Sequence, residues 1–303
     1  MIRIGSRGSQ LALWQANFIR EALGGLGHEV AIEIIRTTGD RMQDVAFPPQ
    51  EGKGIFTREI EESLLERRID LAVHSLKDLP TELGKEFTLA AIPKRADPRD
   101  VLVSERFLSL QELPPGAVVG TGSLRRQAQL RHTRPDLQYI EFRGNVDTRL
   151  RKLGDGKADA IILAAAGLDR LERTDWIRQR FPSELLCPAA GQGALAIQCR
   201  AGDAETHAAV APLDDPETRA AVTAERRFLA ALGGGCQLPI GAYAHAVPKG
   251  LLSLRGVIAA VDGGSIVSGE SQHADPCVLG DQLAQQLLET GADHILGLKV
   301  NDV

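Results

Sequence analysis

Two hydrophobic periods alternate along this chain, and their order predicts its architecture. Met1–Ile4 reads as a short strand that empties into the loop Gly5-Ser6-Arg7-Gly8-Ser9. Leu11, Leu13, Trp14, Ala16 and Phe18 then mark one face of a helix that Gly24-Gly25 stops. Glu29–Arg36, isoleucine-rich and partly alternating, predicts a second strand, so the chain opens on a βαβ unit with a right-handed crossover. A helix from about Thr57 to Arg68 and strands at Ile69–Val73 and Phe87–Ile92 come next, and the proline-bracketed Pro93–Asp100 reads as a linker. A second α/β pattern has strands at Ala117–Val119, Tyr139–Phe142 and Ala160–Ala164, with helices at Ser123–Arg131 and Asn145–Leu153. The last of these strands is apolar throughout, as in a parallel sheet.

Leu185–Gly193 predicts a second crossing, and Ala194–Cys199 a strand returning to the first module. The long helix Glu217–Leu232, strands near Ile240–His245, Leu251–Val261 and Ser265–Ser271, and a helix at Val278–Glu289 make a small α+β module. The matching layout of the first two blocks suggests a two-lobed clamp with a cleft, and the polar stretch from Thr37 to Gly54 reads as a mobile cover or a disordered segment, the cover being favoured.

Composition narrows the function classes. At 303 residues two or three domains are expected. The net charge of -5 gives no global attraction for polyanions, and an aromatic content of 4% argues against a base-stacking nucleic-acid surface. The N-terminus has no export-like apolar region and no run suits a membrane span, so a cytoplasmic protein is expected. Cys187, Cys199, Cys236 and Cys277 form no C-x-x-C pair, and neither structural zinc nor a disulfide framework is indicated.

Candidate chemistry gathers at strand-to-helix turns, where ligands sit in open α/β sheets. Gly120-Thr121-Gly122-Ser123-Leu124-Arg125-Arg126 lacks the third glycine of a dinucleotide fingerprint, but a helix N-terminus with paired guanidinium groups suits a carboxylate or phosphate. Phe142-Arg143-Gly144-Asn145 and Arg149 repeat the theme, and Arg7 adds a further arginine at such a turn. Read singly, each is also a solvated surface charge; converging, they would hold a ligand with several carboxylates. Ser75-Leu76-Lys77-Asp78 sets a cation beside a carboxylate just past a strand, either a surface ion pair or a group able to stabilise a developing cation. Gly233-Gly234-Gly235-Cys236 is either a glycine-rich helix stop beside an inert thiol or a loop that presents Cys236 with little cover.

Taken in order, eight segments resemble the porphobilinogen deaminase family: Ser6–Ala16, Gly52–Phe56, His74–Pro80, Asp97–Asp100, Gly120–Arg126, Arg143–Leu150, Gly191–Gly193 and Gly233–Gly241. The resemblance implies two type II periplasmic-binding-protein-like α/β domains forming a clamp plus a small α+β C-terminal domain, at residues 1-95 with 194-212, 98-190 and 216-303. It implies an enzyme that joins four porphobilinogen molecules head to tail into hydroxymethylbilane with release of ammonia. A dipyrromethane cofactor, linked by a thioether to Cys236, would serve as primer. By the same resemblance Asp78 is the catalytic carboxylate, and Lys77, Ser75, Thr121, Ser123, Arg125, Arg126, Arg143 and Gly144 bind the cofactor together with Asp78. Arg7, Ser9, Arg143, Arg149, Arg170 and Gln192 bind substrate, and Lys53 and Phe56 end the lid. No metal, nucleic acid or membrane partner is expected, and a monomer is. Gly122 departs from the serine or alanine of many members, and Pro49 from a lysine found in some. A solute-binding or sensing domain on the same clamp is the alternative class.

Overall fold

The computed structural model describes residues 1–38, 57–234 and 238–297. They divide into two compact units, one of residues 1–96 and 193–219, the other of residues 97–192 and 220–303.

The first unit is built on a five-stranded sheet of β1 (Ile2–Ser6), β2 (Val30–Ile34), β3 (Leu71–Ser75), β4 (Phe87–Ala91) and β10 (Leu195–Arg200), in the order β2-β1-β3-β10-β4. β1 pairs in parallel with β2 and β3, whereas β10 runs antiparallel to β3 and β4. The first three residues of β3 are apolar because both faces are covered there. Leu71 and Val73 enter a core with Ile4, Ile19 and Leu23, while Ala72 packs with Ile60, Leu64 and Ile69. The helix Gln10–Gly25 supplies Ala16, Ile19 and Leu23 from one stripe, and Ser9 caps it by accepting from the Ala12 N–H.

The second unit repeats this plan. Its strands β5 (Asp100–Val103), β6 (Val118–Gly120), β7 (Gln138–Ile140), β8 (Ala160–Ala164) and β9 (Ile177–Arg180) lie in the order β7-β6-β8-β5-β9. In both sheets a strand entered just after a crossing of the chain takes the fourth position, antiparallel to both its neighbours. This is the type II periplasmic-binding-protein layout that the resemblance implies. β8 is therefore parallel to β6 but antiparallel to β5, so the sheet is mixed where an all-parallel neighbourhood was expected. Ala160 and Ile162 face one core and Ile161 and Leu163 the other. β5, whose first residue reads in sequence as the end of a linker, and β9, which the hydrophobic pattern does not announce, complete the sheet.

The same unit holds a three-stranded antiparallel sheet of β11 (Ile240–Val247), β12 (Leu251–Ala259) and β13 (Ile266–His273). Helices Pro216–Ala231 and Pro276–Leu287 bury Phe228, Leu279, Leu283 and Leu287 against Ala242, Leu254 and Ile258, a core of its own.

Candidate functional site

In the first unit, the candidate residues stand at the C-terminal ends of the adjacent parallel strands β1 and β3. After β1 come Arg7, half-buried, and Ser9, committed to capping the next helix with its Oγ 3.3 Å from the Ala12 N–H. Buried Gln15 on that helix donates to Ser75 Oγ at 2.8 Å, which fixes the hydroxyl at the end of β3. Leu76–Asp78 is one turn of 3-10 helix, held by the Leu76 N–H on the Ala194 carbonyl at 3.0 Å and the Leu79 N–H on the Leu76 carbonyl at 3.1 Å. Leu76 and Leu79 point into the core, so the turn directs Lys77, half-buried, and Asp78, exposed, the other way.

One residue upstream, buried His74 places Nε2 2.9 Å from Gln198 Oε1, and Gln198 Nε2 donates to Glu61 at 2.9 Å. The carboxylate fixes the amide, and the amide fixes a neutral imidazole with its proton on Nε2. Burial, with a further push from Arg7, depresses this histidine to about 4.

In the second unit the candidates stand at the ends of the adjacent parallel strands β7, β6 and β8. Gly120 ends β6 where any Cβ would come within 2.7 Å of the Phe142 ring. Thr121 is buried, and Ser123 caps the helix Leu124–Thr133 by accepting from the Arg126 N–H. After β7, Gly144 adopts φ +119, open to glycine and strained for other residues, and Asn145 caps the helix Val146–Gly154. Arg143 pairs with Glu141, and Arg149 is half-buried on the first turns of that helix. Arg170 ends the helix Ala165–Arg170 after β8, and burial, partly offset by Asp169, lowers its guanidinium to about 10.

Arg125 and Arg126 are each only 5% exposed. Both pair with Asp100, the fully buried first residue of β5, through Arg125 Nη1 on Oδ2 at 2.7 Å and Arg126 Nη2 on Oδ1 at 2.7 Å. Gln192, expected to touch substrate, is itself fully buried and donates to Asp100 Oδ1 at 2.8 Å and to the Pro98 carbonyl at 2.7 Å. Burial alone would raise the Asp100 carboxyl, but the two guanidinium groups overcome it and hold the group far below the usual carboxylate range. Sequence reasoning misses this carboxylate's part. Its one signal is an acidic residue opening the apolar run Asp100-Val101-Leu102-Val103.

Cys236, Lys53 and Phe56, with the stretch from Thr37 to Gly54 beyond Thr38, lie outside the described residues. Among the described residues no cluster of histidine, cysteine and carboxylate side chains could hold a metal, and no helix is long and apolar enough to cross a membrane.

Comparison with known proteins agrees with the eight segments. The porphobilinogen deaminase dipyromethane cofactor binding domain matches residues 2–208, and the porphobilinogen deaminase C-terminal domain matches residues 219–289. Porphobilinogen deaminase of Brevibacillus brevis is 50% identical over 296 residues, covering 97% of this chain and 96% of its own. That of Roseiflexus castenholzii is 50% identical over 298 residues, covering 97% and 98%. The methionine binding protein MetQ aligns with 72% of this chain and 91% of its own at a TM-score of 0.47 and 13% identity, too distant to bear on fold or ligand. On the two domain matches and these near full-length relatives, the chain belongs to the porphobilinogen deaminase family, dipyrromethane-carrying transferases that condense porphobilinogen into hydroxymethylbilane for tetrapyrrole biosynthesis.

Proposed function

We propose that Asp78 is the catalytic carboxylate of this condensation and that the arginine-bearing turns of the second unit hold its anionic partners. The observation that carries the reading is the C-terminal edge of β7, β6 and β8. It gathers Arg125, Arg126, Arg143, Arg149 and Arg170 in a chain whose net charge is -5. Pyrrole acetates and propionates need such guanidinium, hydroxyl and helix N-terminal N–H donors, so the donor set fits a dipyrromethane. Lys77, Ser75, Thr121, Ser123, Arg125, Arg126, Arg143 and Gly144 would hold that group, and Cys236 would carry it through a thioether. When bound, the cofactor supplies the primer from which the chain is extended.

The remaining roles belong to the protein's own side chains. Asp78, turned outward by the buried Leu76 and Leu79, can approach a pyrrole N–H and stabilise the positive charge that develops as ammonia leaves the substrate. Arg7, Arg143, Arg149 and Arg170, with Ser9, neutralise carboxylates of the incoming substrate and the lengthening product. Gln192 acts from behind, through Asp100. Three sheets with separate cores support a division into domains at residues 1-95 with 194-212, 98-190 and 216-303. We further propose a cytoplasmic monomer with no nucleic-acid or membrane partner.

The intact mass of the purified chain tests the anchor. An excess equal to two pyrrole units that disappears in Cys236→Ser is the expected result. Retention of the excess in that variant would move the tether elsewhere.

A further inference from the structure

The buried triad of Asp100, Arg125 and Arg126 has an unusual stoichiometry. Two guanidinium groups share one carboxylate in the interior, and both oxygens of Asp100 are engaged. Oδ1 accepts from Arg126 Nε at 3.0 Å and Nη2 at 2.7 Å and from Gln192 Nε2 at 2.8 Å, while Oδ2 accepts from Arg125 Nη1 at 2.7 Å. Two carbonyls complete the frame, Cys187 O at 2.6 Å from Arg125 Nη1 and Ile162 O at 3.1 Å from Arg126 Nη1. Among the described residues, the hydrogen bonds of the Arg125 side chain all run through Nη1 and leave its Nε and Nη2 edge for another acceptor.

As scaffolding this arrangement is poor. Buried ion pairs rarely stabilise a fold more than apolar residues of similar volume, and a second buried cation adds desolvation and repulsion. As an anion site it is well made, because fixed charges in a poorly solvated setting need no reorganisation when an anion arrives. The frame is also stiff. Gln129 Oε1 accepts from the Cys187 N–H at 2.8 Å and its Nε2 donates to the Cys187 carbonyl at 3.2 Å, so the segment that supports Arg125 is pinned to the same helix.

We infer that Asp100 is a positioning residue for the reaction: it holds Arg125 and Arg126 as a preset pair and leaves them one net positive charge for a ligand carboxylate. This rests on the reading of the two arginines as cofactor-binding groups. Asp100 itself, fully buried, touches no substrate and acts through the guanidinium groups.

A double-mutant cycle tests it on the full holo-chain, with Asp100→Asn, Arg126→Gln and the double variant. Porphobilinogen kinetics are expressed per loaded chain, loading comes from intact mass, and folding is checked by circular dichroism. Asp100→Asn is expected to lose about tenfold or more in kcat/KM, mainly through KM. The double variant should lose clearly less than the product of the two single losses, because Asp100 acts only through the arginines and in Arg126→Gln only its hold on Arg125 is left to remove. Losses that multiply would overturn the positioning role, as would parent-like kinetics in Asp100→Asn beside an impaired Arg126→Gln. Parent-like loading and kinetics in Arg126→Gln would instead sink the underlying assignment of the arginines. If Asp100→Asn does not fold, Gln192→Met, which removes one of the bonds to Oδ1, takes its place in the cycle. It should raise KM about threefold alone and add nothing to Arg126→Gln; an unchanged KM or a multiplied loss would count against the inference.

Discussion

The turn after β3, third in its sheet, and the turn after β6, second in a sheet of the same strand order, both follow a central parallel strand, yet they treat charge in opposite ways. After β3, a 3-10 turn anchored by Leu76 and Leu79 sends Asp78 outward, and the carboxylate is exposed. After β6, a capped α-helix turns Arg125 and Arg126 inward onto Asp100, where the cations are locked before any ligand arrives. One plan thus yields an accessible reactive group and a rigid electrostatic frame. The difference lies in the helix that takes over from each strand, three residues of 3-10 helix in one case and ten of α-helix in the other.

The largest effect that would sharpen this contrast is on turnover. Asp78→Asn should reduce product formation by about 10²-fold or more while circular dichroism and thermal unfolding stay at parent values, since an exposed side chain carries little of the fold. A near-normal rate would break the assignment. Arg126→Leu should do the reverse kind of damage, because it leaves Asp100 with one guanidinium in a buried site. Because Arg125 still neutralises the carboxylate, the loss is that of the bonds to Oδ1 and to the Ile162 carbonyl, about 1–3 kcal/mol in denaturant unfolding of the second unit. A shift of a few tenths would show that the frame is not rigid.

Acid titration separates the two units by window. His74 is depressed to about 4, so between that value and its ordinary 6.5 the unfolded chain binds the proton that the folded chain refuses. The first unit should therefore lose stability as pH falls from 6.5 to 4, by up to about 3 kcal/mol, and His74→Gln should flatten that slope. Asp100 is depressed instead below the ordinary aspartate value, so its contribution is complete above about 4 and is lost only as pH falls further toward its folded value. Unfolding monitored by two probes across pH 3–7 checks both windows. The smallest expected difference is between the caps. Ser9→Ala and Ser123→Ala should each cost about 1 kcal/mol, measured by denaturant midpoints, because both hydroxyls serve the same local bond.

Much of this was legible in the chain. Period and turn chemistry placed β1, β3, β6, β8 and β10 to within a residue or two, and the caps Ser9, Ser123 and Asn145 stand where a polar residue precedes a helical stripe. The arginine turns were visible as local motifs. Their burial was not, because the partner that permits it lies 25 residues upstream in a strand of four residues, too short for a period to declare itself. For the same reason Asp100 reads in sequence as the end of a linker and Gln192 as a substrate contact. A buried polar residue is recognised by its partners, and those are set by sheet order rather than by neighbours in sequence.

The division of labour between the two turns is tested most directly by tracking the intact mass of the holo-chain over time after porphobilinogen is added, in Asp78→Asn and Arg126→Gln beside the parent. The account predicts that Asp78→Asn carries the two-pyrrole excess as purified but gains further pyrrole units about 10²-fold more slowly, whereas Arg126→Gln is already deficient in the excess. Normal loading and parent-rate elongation in Arg126→Gln, or parent-rate elongation in Asp78→Asn, would contradict it.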